Sequence, residues 1–123
     1  MRKVLISCLV LASAINVSPV HSQTRLPYDQ APYNDTVVQC GALFALAADG
    51  YEDAGETSKS RTYKEKFAKQ LHTSENEFLT VGRPKREALQ LYDQRRGELA
   101  AMAAKDTKLM VRLLRFCNQK YPL

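Results

Sequence analysis

There is no tryptophan in this sequence, only two histidines and three cysteines, and no run of glycines. Each scarcity removes a class of chemistry. The five glycines are scattered and follow no phosphate-loop spacing, so a nucleotide cradle is not expected. Only His72 lies beyond the leader-like segment, and one imidazole cannot build a histidine-based zinc site. A Cys-x-x-Cys-His haem attachment stretch is absent. Met102 or Met110 with His72 would be a formal axial pair, but methionines on an apolar stripe are normally core filler. No apolar run approaches the roughly 20 residues that cross a bilayer. The expectation is no cofactor, no metal, no catalytic residue and no stable membrane insertion. His72 beside Glu75 is the one pair that a concave pocket could turn into an enzyme site. No stretch around Ser58, Ser60 or Ser74 stands out as a serine–lysine site.

The N-terminus has positive charge (Arg2, Lys3), then the apolar stretch Val4–Ala12, then Pro19 and Val20-His21-Ser22. This is the layout of a secretory signal peptide with cleavage after Ser22. Leu5-Ile6-Ser7-Cys8 resembles a bacterial lipoprotein box, but it comes before the apolar core is complete, which argues against lipidation. Residues 1–22 therefore read as a cleaved leader and the protein as periplasmic or secreted. Residues 23–33 read as an extended arm, because Pro27 and Pro32 forbid a helix there. Residues 34–123 read as one helical domain.

Two cysteines remain, Cys40 and Cys117, and an oxidising compartment allows them one intramolecular pairing. Two buried free thiols are the alternative. Small side chains at Cys40-Gly41-Ala42 suit a helix that another helix approaches closely.

The apolar pattern is helical throughout, without a period-two stretch. Asn34 or Asp35 caps a first helix, Tyr33 is placed as its hydrophobic staple, and Asp49-Gly50 reads as its stop. Thr57 to Val81 reads as a second helix with Tyr63, Phe67, Leu71, Ser74, Phe78 and Val81 inward. Lys59, Arg61, Lys64, Lys66 and Lys69 lie outside that stripe; such a run is more often a solvated face than a surface that meets lipid headgroups or an acidic protein. Gly82-Arg83-Pro84 ends it, with proline suited to the first turn of the next helix. From Pro84 to Lys120 a single helix would be about 54 Å long, against a radius of gyration of about 13 Å for a compact domain of this size. Asp106-Thr107 is therefore the expected break. The fold class is all-α, a small bundle of three to four helices tied by one disulfide. Arg95 interrupts the inward stripe, as does Asp106; either they form a buried ion pair or Arg95 reaches solvent along its own stem.

Charge is divided. Residues 23–56 hold one base against six acids, a net of −5, while residues 57–123 hold fifteen bases against seven acids, a net of +8. The modest total and the export signal argue against a nucleic-acid partner. Asp49, Glu52, Asp53 and Glu56 gather around Gly50 and Gly55 as an acidic loop, and they are the candidate partner interface.

The format is exported, about a hundred residues, helical and singly stapled, with no catalytic equipment. It is similar to that of immunity proteins, which protect bacteria from the wall-degrading toxins of their neighbours. The similarity is of format, with no motif carried over. It implies an inhibitor that binds and neutralises a cell-wall-degrading enzyme or toxin, with the acidic loop meeting a cationic periplasmic hydrolase. The alternative is a periplasmic chaperone or structural envelope stress protein. Short helices of this kind also suit a homodimer that buries a shared face.

Overall fold

The computed structural model describes residues 31–123, and the leader-like segment and most of the proline-containing arm lie outside them. Four helices follow one another: α1 (Asp35–Asp53), α2 (Thr57–Thr80), α3 (Lys85–Lys105) and α4 (Thr107–Lys120). No strand occurs among the described residues.

The helix starts are written locally. The Asn34 side-chain carbonyl accepts from the Thr36 and Val37 N–H groups at 3.0 and 3.3 Å, satisfying two donors of the first turn of α1. Tyr33 and Val38, the positions of a hydrophobic staple, share one buried cluster, where Tyr33 stacks on Phe78 at 5.7 Å between centroids. Asp106 accepts from the Leu109 N–H at 2.9 Å and so begins α4, dividing the long C-terminal run into two helices. Pro84 is extended and stands just before α3 rather than in its first turn.

Two helices end in the same way. At Gly82 (φ 76°) the Arg83 N–H reaches Phe78 O at 2.9 Å and the Gly82 N–H reaches Leu79 O at 3.0 Å. At Gly55 (φ 76°) the Glu56 N–H reaches Tyr51 O at 2.8 Å and the Gly55 N–H reaches Glu52 O at 3.0 Å. These are paired C-terminal bonds that need a left-handed residue, which glycine supplies without a Cβ clash. The first helix thus runs through Gly50 and stops four residues later than Asp49-Gly50 suggested. A glycine inside a helix costs about 1 kcal/mol. Here Asp49 pairs with Arg96 of α3, and Tyr51 stacks on Tyr63 of α2 at 5.5 Å, so tertiary contacts hold the last turn.

The first helix is the centre of the molecule. Residues 40–45 are buried without interruption, far more than one amphipathic face, because α2, α3 and α4 all lie against this helix. Its small residues permit the close approach: Gly41 meets the Tyr92 ring and Gln70, and the Ser60 hydroxyl donates to Ala48 O at 2.9 Å. Cys40 and Cys117 are bonded, with Cα atoms 5.3 Å apart, inside the cluster formed by Phe44, Leu99 and Met110. The bond joins the first helix to the last, the expected pairing rather than two free thiols.

Three sequence expectations about facing are corrected. Val81, placed inward, is exposed beyond the end of α2. Of the two methionines read as core filler, Met110 is buried and Met102 is exposed. Arg95 does not reach solvent: it is 2% exposed. Its guanidinium donates to Asp35 Oδ1 at 2.8 Å and Gln39 Oε1 at 2.9 Å, and Glu98 lies 3.6 Å from its Nε. These partners sit at the start of α1 and on α3 itself, so the ion pair is not with Asp106. An arginine is retained inside because every side of its planar fork faces an acceptor.

Candidate functional site

The acidic residues singled out in the sequence do come together, at the corner where α1 passes into α2. Asp49, Glu52 and Asp53 occupy the last turns of α1 rather than a loop, and Glu56 precedes α2. Their charge is already answered within the molecule. Asp49 pairs with Arg96, Glu52 with Lys64 at 3.2 Å, and Glu56 with Lys59 at 3.4 Å. The corner is therefore a mixed-charge surface, with Asp53 exposed between the pairs.

A second site lies on the lysine-bearing face of α2. The helix α4 lies against α3 and α1 but makes no backbone approach to α2. What bridges α2 and α4 is a chain of polar side chains: Lys66 Nζ donates to Asn118 Oδ1 at 2.8 Å, and Asn118 Nδ2 donates to the Tyr63 hydroxyl at 2.9 Å. The groove left between the helices holds two basins that meet at Lys66. One, about 470 Å³, has Phe44, Gln70, His72, Lys120 and Tyr121 among its walls. The other, about 390 Å³, lies over Tyr51, Lys59, Tyr63 and Asn118. No carboxylate side chain lines either basin.

The electrostatics of the groove are set by Lys66. Its ammonium sits 5.1 Å from the centroid of Phe44 and 5.7 Å from that of Tyr63, attracted to their ring faces. Among the described residues it has no carboxylate within ion-pair distance, and burial lowers its pKa from the ordinary lysine value. Beside it, Gln70 is 7% exposed and its Nε2–H finds no acceptor. Buried donors without partners are uncommon and costly.

His72 lies on the rim, exposed, with Nε2 3.3 Å from the Asn76 amide. No Glu75 carboxylate lines the cavity with it. The described residues contain no group of three His, Cys, Asp or Glu side chains able to hold a metal ion, and no helix long and apolar enough to cross a membrane.

A sequence signal for the groove does exist. Lys59, Lys66 and Lys69 are spaced by seven and three, so they share a helix face, and Tyr63 stands between them. A solvated face shows the same spacing, and only the position of α4 makes it one wall of a groove.

No protein-family model matches the chain, and comparison with curated proteins and with solved structures finds no match either.

Proposed function

We propose that this chain is an exported binding protein that performs no catalysis and neutralises a protein partner in the cell envelope, a cell-wall-degrading enzyme or toxin. The observation that carries this reading is the groove itself: a preformed cavity whose walls include Lys66, Lys69 and Lys120, none with an ion pair among the described residues, and no assembled nucleophile, base or carboxylate pair. Such charges are available to a partner, whereas hydrolysis needs a positioned acid or base. The disulfide supports the compartment, because bonds of this kind persist where thiols are oxidised. It also supports the mode of action, since a scaffold stapled from first helix to last loses little freedom when it binds.

The test uses the oxidised protein as bait against envelope and secreted proteins, followed by assay of whatever is retained. One stoichiometric wall hydrolase whose activity falls on addition of the protein supports the reading. An eluate with no such enzyme overturns it. Many weak, unrelated clients would indicate instead a chaperone of the envelope, a reading favoured by the exposed apolar residues Val111 and Phe116 on α4. The contribution of the acidic corner is read separately by reversing Glu52 and Asp53. Because steering acts on encounter, the double reversal slows association if that corner faces a cationic enzyme. Unchanged kinetics remove the corner from the interface.

A further inference from the structure

We propose that the groove between α2 and α4 holds an extended, acidic segment of the partner protein, with one of its carboxylates seated on Lys66. The inference deepens the reading of the protein as a binder of proteins and rests on it for the kind of ligand.

Two features point to an anion. Lys66 is half-buried against two aromatic rings, and Lys66, Lys69 and Lys120 have no ion pair among the described residues. A partly desolvated ammonium gains most from a charged acceptor, because a charge-assisted hydrogen bond is roughly twice as strong as a neutral one. No Asp or Glu side chain lines the walls.

The shape points to a peptide rather than a compact anion. The α2 wall runs from Lys59 to Thr73, about 21 Å at 1.5 Å per residue, which an extended chain of about six residues spans. Both basins are partly apolar, with the half-buried rings of Tyr63 and Tyr121 among their walls. Thr62, Thr73 and Asn118 place hydroxyl and amide groups along the same path, able to bond a peptide backbone. Alternating side chains of an extended strand would set carboxylates on the lysines and leave intervening residues against the rings. The chain's own first thirty residues contain a single acid, Asp29, so they do not supply such a segment.

The test is a titration of the oxidised protein with a labelled octapeptide of alternating Glu and Tyr, read by fluorescence anisotropy. Its Gln–Tyr counterpart and a polyuronate of equal charge serve as controls. The expected result is saturable binding of the Glu–Tyr peptide in the micromolar range, at least tenfold tighter than either control. Lys66→Gln should weaken it at least tenfold, Lys66→Arg should restore it to within about threefold, and Lys108→Gln, outside the groove, should leave it unchanged. Amide resonances of Asn118 and Gln70 should shift during the titration. Thermal unfolding of each variant shows whether the fold is intact. Absence of saturation, equal behaviour of the Lys66→Gln and Lys108→Gln proteins, or tighter binding of the polyuronate would each overturn the proposal. The functional reading fails separately, when capture returns no enzyme that the protein inhibits.

Discussion

Gly41 lies directly beneath the ring of Tyr92, so close that a Cβ built on it would collide with the ring edge and stand only 2.8 Å from Gln70 Cβ. The absent side chain of α1 is thus the socket for the largest buried aromatic of α3, and it sets how near both α3 and α2 come to the central helix. Gly41→Ala should lose about 1–3 kcal/mol through overpacking, despite the better helix propensity of alanine. Urea unfolding measures it. A midpoint equal to that of the parent would mean that the ring moves freely and that the approach is not tight.

Tyr92 also carries a prediction about alkaline pH. Burial pushes its phenol well above the ordinary value near 10; the hydrogen bond with Ser74 opposes that shift, and the charges of Glu77, Tyr121 and Glu75 add to it. Above about pH 10 the unfolded chain gives up a proton that the folded chain keeps, so stability falls as pH rises, while below that point the contribution is complete. The loss approaches about 1.4 kcal/mol per pH unit for one such group. Lys66, lowered by burial, acts in the opposite sense. Comparing the parent with Tyr92→Phe isolates the phenol: the variant should be about 1 kcal/mol weaker at pH 8, where Ser74 loses its partner, and should decline less steeply toward pH 11.

Arg95 sets a third expectation. Its partners Asp35 and Glu98 are more than a third exposed, so deleting the guanidinium leaves acids that water can solvate. The cost of Arg95→Ala should then come chiefly from lost volume and lost bridging between α1 and α3, about 3 kcal/mol. Arg95→Met, which refills the space, should cost less than about 1.5 kcal/mol. Equal losses for the two variants would show that charge rather than packing governs the position.

The staple can be removed chemically. The bond closes a loop of sequence separation 77, for which the chain-entropy model gives about 4.5 kcal/mol. Since α4 touches only α1 and α3 by backbone, it should be the first element to loosen. On reduction, or in Cys40→Ser/Cys117→Ser, hydrogen exchange should accelerate in residues 107–120 before it does in α1 and α2. Uniform acceleration would mean that α4 is held by packing alone.

Much of this architecture is local and therefore readable in the chain. The cap at Asn34, the break at Asp106, the left-handed turn at Gly82 and the cysteine pairing each depend on residue type and short spacing. What escaped depended on neighbours distant in sequence. Gly50 looked like a helix end because nothing nearby in the chain reveals that Arg96 and Tyr63 hold the next turn. Whether Arg95 is buried or reaches solvent stays open in the sequence because its acceptors, Asp35 and Gln39, lie some sixty residues earlier. The acidic corner was legible as a cluster of charges, but the lysines that neutralise Glu52 and Glu56 were read as a separate face. Lys66 belonged to that same face, and its role depends on α4, whose side chains approach it across fifty-two residues of chain.

The Cys40–Cys117 bond makes almost the whole domain a closed covalent ring. A protease acting in the turns at Gly55, Gly82 or Asp106 would open that ring without releasing a fragment, because both cut ends stay joined through sulfur. The protein can therefore be nicked once and remain a single molecule, its central helix still bound to its last.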